Sequence, residues 1–117
     1  MFKIEAIIRP ERISNVSNAL EQIGCGGFHY QNVTGQGKQR GVEVVTGRGA
    51  ATINRSAVPK TLLTTVVSTD MKEKTINAII AASRSSDNGA IGDGKIFVSQ
   101  LTQVIRVRTG EENEAAL

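Results

Sequence analysis

The chain has 117 residues, which suits a single domain built on one core. Its formal net charge of +3, with no long Lys/Arg run, is too small to argue for nucleic acid, and an aromatic content of 3% leaves few platforms on which bases could stack. A single cysteine excludes an intramolecular disulfide and a Cys-based zinc site, and no long apolar run reads as a signal peptide or membrane span, so a cytoplasmic location is the default expectation.

Phe2, Ile4, Ala6 and Ile8 alternate with Lys3 and Glu5, which predicts a strand ended by Arg9-Pro10. Ile13, Val16, Leu20 and Ile23 share one helical face, and Gly24 stops that helix. Cys25 reads as a small buried or turn residue rather than a nucleophile, because the only histidine, His29, has no orienting partner in view. Phe28 to Val33 predicts a second strand. A long segment rich in Gly, Arg and Thr runs from Gly35 to about Val58 and is expected to be a loop. Leu62 to Val67 predicts a third strand. Asp70-Met71-Lys72-Glu73 resembles a helix start with a carboxylate cap, and Ile76, Ile79, Ile80 and Ser83 continue its face. Ser85 to Gly94 is expected as loop, Lys95 to Val98 as a fourth strand and Val104 to Val107 as a short fifth. The acidic tail, about 111–117, is expected to fray.

This order predicts an α+β, ferredoxin-like βαββαβ domain over residues 1–117, with a long loop between strands 2 and 3 and a short C-terminal strand. Both helices fall on one face of an antiparallel sheet. Ile7, Leu63 and Val67 are expected on the opposite face, which oligomerisation would cover.

Two segments carry chemistry. Ile91-Gly92-Asp93-Gly94-Lys95-Ile96-Phe97-Val98 is a Gly-rich turn with a Lys at its exit, feeding a strand. Ile105-Arg106-Val107-Arg108-Thr109-Gly110-Glu111 places two Arg at i and i+2, on one face if extended. Glycines let backbone N–H groups approach an anion, and Lys and Arg add fixed positive charge, so the pair suggests a phosphate site. The same pattern also describes a Gly turn with a solvated basic strand, and the residues alone leave both open. At the base of the long loop, Gly35-Gln36-Gly37-Lys38-Gln39-Arg40-Gly41 can form a second anion-holding turn, and the Gln39 carbonyl could ligate a hard cation such as Mg²⁺. A flexible linker has the same composition. Lys60 lies at the loop's far base and matters only if it folds back toward that turn.

These residues, together with Lys3-Ile4-Glu5-Ala6-Ile7-Ile8-Arg9-Pro10 and Pro59-Lys60, resemble the PII nitrogen-regulatory signal transduction family over nearly the whole chain. The resemblance implies a cytoplasmic homotrimer that binds ATP or ADP between subunits, and 2-oxoglutarate beside Mg-ATP. It implies that a mobile loop, here about 37–58, docks onto an ammonium transporter or a nitrogen-metabolism enzyme, with neither nucleic-acid binding nor membrane insertion. By the same resemblance Gly89, Gly92, Asp93, Gly94 and Lys95 would hold the phosphates, and Arg106 and Arg108 would reach them from a neighbouring subunit. Ile7, His29 and Val66 would lie near base and ribose. Gln39 would hold Mg²⁺, Lys60 a 2-oxoglutarate carboxylate, and Gly35, Gly37 and Lys38 would border these ligands. Arg48 would insert into the target protein.

The chain departs from the family pattern by having no Tyr between Gly41 and Pro59, which makes tyrosine nucleotidylylation implausible, and by carrying Ala90 where a Lys is frequent. The expectation is a non-enzymatic regulator. The alternative is a small ferredoxin-like nucleotide phosphohydrolase, for which Asp93 is the only carboxylate inside the Gly-rich turns. An oligomeric module without ligand would need neither Gly-rich basic segment.

Overall fold

A computed structural model of the chain describes residues 1–37 and 57–117 throughout, and the backbone of 43–46 and 51–54. The elements are β1 (Phe2–Ile8), α1 (Ile13–Gln22), β2 (Phe28–Gln36), β3 (Glu43–Thr46), β4 (Ala51–Asn54), β5 (Ala57–Val67), α2 (Lys72–Ser83) and β6 (Gly94–Gln100). The main sheet has the order β2-β5-β1-β6 and every pairing is antiparallel. This is the ferredoxin-like arrangement. Among the described residues no helix is long and apolar enough to cross a membrane.

Alternation decides which side of each strand is buried. Ile4, Ala6 and Ile8 of β1 join Leu63 and Val67 of β5, Val16 and Leu20 of α1 and Ile79 of α2 in one core. In register, Ala6 faces Leu63 on one side and Ile96 on the other. The open face is therefore built from the other parity: Ile7 opposite Leu62, Lys3 opposite Val66, Glu5 opposite Phe97. This corrects the expectation that Leu63 and Val67 lie with Ile7. They point under the helices, and Leu62 and Val66 accompany Ile7, because a shift of one residue exchanges the two faces of a strand.

Other boundaries differ for local reasons. β5 starts at Ala57 and so contains Pro59 and Lys60. Proline is tolerated there because β1 pairs β5 only from Thr61 onward, so at Pro59 the strand has a neighbour on one side only. The expected long loop contains the β3–β4 hairpin, in which Glu43 lies opposite Asn54. The start of α2 is as expected, but no side chain caps it, and a 3₁₀ turn over Thr69–Met71 leads the chain in. The short fifth strand is reduced to one antiparallel bridge, Ile105 opposite Glu112. Residues 107–109 form a turn, so Arg106 and Arg108 do not share the face of an extended strand. Instead of fraying, the acidic tail folds into a 3₁₀ turn over Asn113–Ala116, and the Asn113 N–H donates to the Val104 carbonyl at 2.7 Å.

The register is testable with charges. Leu63→Asp would bury an unpaired carboxylate in the core, a cost of several kcal/mol, and should abolish the helical circular-dichroism signal. Leu62→Asp points to the open face and should leave that signal intact.

Candidate functional site

The C-terminal end of β1, the start of β6, the first half of β5 and the end of β2 meet at one end of the sheet. The segment from Ser85 to Gly94 closes over that end. Its backbone reverses at Gly89, Gly92 and Gly94, all with positive φ. Gly94 is the tightest of them. A Cβ there would lie 1.8 Å from the Ile7 carbonyl oxygen, so only glycine lets β6 begin this close to β1.

Asp93 organises the segment. Its carboxylate accepts from the Arg9 Nε at 3.0 Å, the Ser85 N–H at 3.2 Å and the Ala90 N–H at 2.8 Å. Partial burial opposes the charged form, but these hydrogen bonds outweigh it and hold the carboxyl well below the usual carboxylate range. Arg9 also donates from Nη2 to the Ile91 carbonyl at 3.0 Å, so one guanidinium ties β1 to both halves of the turn. Sequence reading assigned Arg9 only to the end of a strand. The signal that could have found it is register: the residue after Ile8 must lie beside the residues before Gly94.

Lys60 is the second clamp. It is 9% exposed, and its Nζ donates to the Gly92 carbonyl at 2.5 Å. Burial pushes its ammonium below the ordinary lysine value, and the nearby Arg9 charge adds to this against Glu11 and Asp93. Lys60 therefore reaches the Gly92 turn, while residues 38–41 of the loop-base turn lie outside the described residues. Gly35 stands two residues beyond Val33, the β-pair partner of Lys60, which brings the base of the loop beside it.

The other candidates are placed by the same register. Lys95 is exposed on the open face directly opposite Ile7, and forms no ion pair among the described residues. His29 lies on that face opposite Thr64. Val66 is also there, but four residues beyond Leu62, about 13 Å along the strand. Gly89 packs against the Asp93 carboxylate, with Oδ2 3.4 Å from where its Cβ would be. Gly37 ends the described part of the loop base. Lys38, Gln39 and Arg48 lie outside the described residues. Arg106 and Arg108 follow the far end of β6, where the Leu101 N–H donates to the Met1 carbonyl. That end is about 20 Å along the strand from the turn. Arg106 pairs with Glu111 at 2.9 Å within its own segment. Cys25 is half-buried, its thiol 3.3 Å from the Thr65 hydroxyl.

Chemically, the arrangement is a backbone turn held by Asp93, Arg9 and Lys60, with Lys95 exposed on the open face. Such a turn can receive an anion without rearranging. Every described hydrogen bond of Asp93 serves the turn.

Two substitutions test this construction. Gly94→Ala should cost at least about 3 kcal/mol of stability in urea unfolding, since backbone must move. Gly35→Ala, whose Cβ would meet nothing within 4 Å, should cost under about 1 kcal/mol. Asp93→Asn should cost about 2 kcal/mol at pH 7. A depressed carboxyl stabilises the fold above its unfolded value and loses that contribution as pH falls. The gap between variant and parent should therefore begin to narrow only below about pH 4 and keep narrowing as pH falls toward the depressed folded value.

Comparison with known proteins points the same way as the geometry. The family model described as nitrogen regulatory protein P-II matches residues 1–111. A nitrogen regulatory protein P-II of Cereibacter sphaeroides is 43% identical over 117 residues, covering all of both chains. Nitrogen regulatory protein P-II 2 of Methanothermobacter thermautotrophicus is 40% identical over 118 residues, covering all of this chain and 97% of the relative. A P-II homolog of Arabidopsis thaliana is 45% identical over 115 residues, covering 98% of this chain and 57% of the relative. With a matching fold, a family model spanning most of its length and relatives aligned end to end, the chain belongs to the nitrogen regulatory protein P-II family, whose members are regulators rather than enzymes.

Proposed function

We propose that this chain is a homotrimeric signal-transduction protein that senses ATP and ADP, takes up 2-oxoglutarate beside Mg-ATP, and regulates a nitrogen-metabolism enzyme or an ammonium transporter through its long loop. The observation that carries the reading is the pre-formed turn from Gly89 to Gly94. It is clamped by Arg9 and Lys60 and exposes Lys95 on the open sheet face.

Three further features support it. Phosphate oxygens laid on this turn would meet Lys95, while Ile7 opposite it and Leu62 beyond supply apolar surface for a base. Arg106 and Arg108 lie past the other end of β6, so they suit the turn of a second copy better than their own. A ring of identical subunits would complete each site and cover the open face, where Phe97 is 49% exposed. Finally, Lys60 and Gly35 place a cation and a flexible backbone at the loop base. A ligand carboxylate at Lys60 would sit beside triphosphate, which calls for a divalent cation to offset the like charges, with Gln39 as its family-implied ligand. Arg48 would be the loop's contact with its target. No observation favours the phosphohydrolase reading, since His29 makes no side-chain hydrogen bond among the described residues and Asp93 is committed to the turn.

The test is calorimetry with ADP, with ATP, and with Mg-ATP plus 2-oxoglutarate, combined with light scattering. The parent should bind nucleotide as a trimer, and 2-oxoglutarate only when Mg-ATP is present. Lys95→Ala and Arg106→Ala should each lose a charge-assisted contact and weaken nucleotide binding about tenfold or more. Nucleotide binding unchanged in both variants would move the site elsewhere, and a monomer that binds as well as the parent would end the trimer reading.

A further inference from the structure

The helix side of the same turn carries a second concavity. α2 packs toward α1 and β1 and leaves part of β6 uncovered. Between them runs a groove of about 690 Å³, within the size range of small-molecule sites. Its body is aliphatic: Ile76 and Ile80 of α2, Ile96 and Val98 of β6. Val98 is 40% exposed although its parity turns it toward the helices.

One end of the groove is polar in a specific way. Ser83 lines it and is only 7% exposed, yet its hydroxyl has no hydrogen-bond partner. A buried hydroxyl left unsatisfied is costly, and it marks a place where a ligand atom gains more than it would at a solvated one. Arg84 follows it at the groove mouth, with its Cγ beside Gly89 and no ion-pair partner among the described residues. The one carboxylate in the lining, Asp93, is neutralised by Arg9. The mouth therefore carries net positive charge, which outweighs the partial negative charge of the α2 C-terminus.

We propose that this groove binds an amphipathic carboxylate, with its aliphatic chain along Ile76, Ile80, Ile96 and Val98, and its head accepting hydrogen bonds from the Ser83 hydroxyl and the Arg84 guanidinium. The aliphatic body and cationic mouth together call for an anionic head on an aliphatic chain. Light scattering separates this occupant from the C-terminal segment of a second copy, whose exposed Ile105 and Val107 precede the acidic tail. Gly89, Asp93, Gly94 and Lys95 also line the groove, so its polar end adjoins the nucleotide reading, while the body along Ile96 and Val98 follows the helix-side parity of β6.

The probe is decanoate, titrated by calorimetry below its micelle concentration into the full chain, with decanol and butyrate as controls. One decanoate should bind per chain, decanol about tenfold more weakly, and butyrate at least about a hundredfold more weakly. Arg84→Gln should weaken decanoate about tenfold and leave decanol unchanged. Ile80→Trp should fill the groove and abolish binding of both. The thermal transition of each variant, with its affinity for ADP, shows whether it has folded. Equal binding of decanoate and decanol, or decanoate binding untouched by both substitutions, would overturn the proposal. So would failure of decanoate to bind, and so would release of subunits by Ile80→Trp in light scattering, which would show that a second copy occupies the groove.

Discussion

The ion pair between Arg9 and Asp93 is the contact on which the candidate site depends. It joins the end of β1 to a segment 84 residues later in the chain. Without it, the residues between Ser85 and Gly94 would be a glycine-containing loop free to sample many backbone states, and ordering them around a ligand would cost affinity. With it, most of that ordering is complete before any ligand arrives. The pair is stronger than most surface ion pairs because both partners are largely buried and the carboxylate also accepts two backbone N–H groups. Gly94 makes the geometry possible. By allowing β6 to approach Ile7, it sets the turn beside Arg9 instead of away from it.

Much of this could be read in the sequence, and the parts that could not share a cause. Strand and helix order followed from periodicity, since Ile4, Ala6 and Ile8 alternate and Val16 and Leu20 repeat at helical spacing. The face of β5 was misassigned because Leu62-Leu63 and Val66-Val67 are apolar pairs. Such a run satisfies either parity, and only pairing with Ala6 and Ile7 chooses between them. Arg9 and Lys60 were under-read for the same reason. Their roles come from residues more than thirty positions away, brought near by strand register and not by local sequence.

The C-terminal segment shows the opposite case, in which a local pattern promised too much. Val104 to Val107 looks like a strand, but the Gly110 N–H donates to the Arg106 carbonyl and turns the chain back. What results is a short loop held to the tail by Arg106 and Glu111, with Val107 99% exposed at its tip.

The turn from Gly89 to Gly94 thus has the open sheet face on one side and the helix-side groove on the other. Its open-face side continues into Lys95 and Ile7, and its helix-face side into Ser83, Ile96 and Val98. Ligands on the two sides would influence one another only if the turn had two arrangements that each ligand favours differently. The clamps argue against that for the turn itself, since Asp93, Arg9 and Lys60 hold it from three directions. Any coupling must therefore run through a clamp that a ligand can draw away. Lys60 fits that description better than Arg9. Its described contact with the turn is to the uncharged Gly92 carbonyl, and its ammonium is disfavoured by burial and by Arg9, so an anion on the open face would meet a charge that burial leaves costly. Arg9 is held by the carboxylate and by the Ile91 carbonyl together, and would have to abandon both. The asymmetry gives the turn one fixed anchor on β1 and one movable anchor on β5, the strand into which the long loop returns.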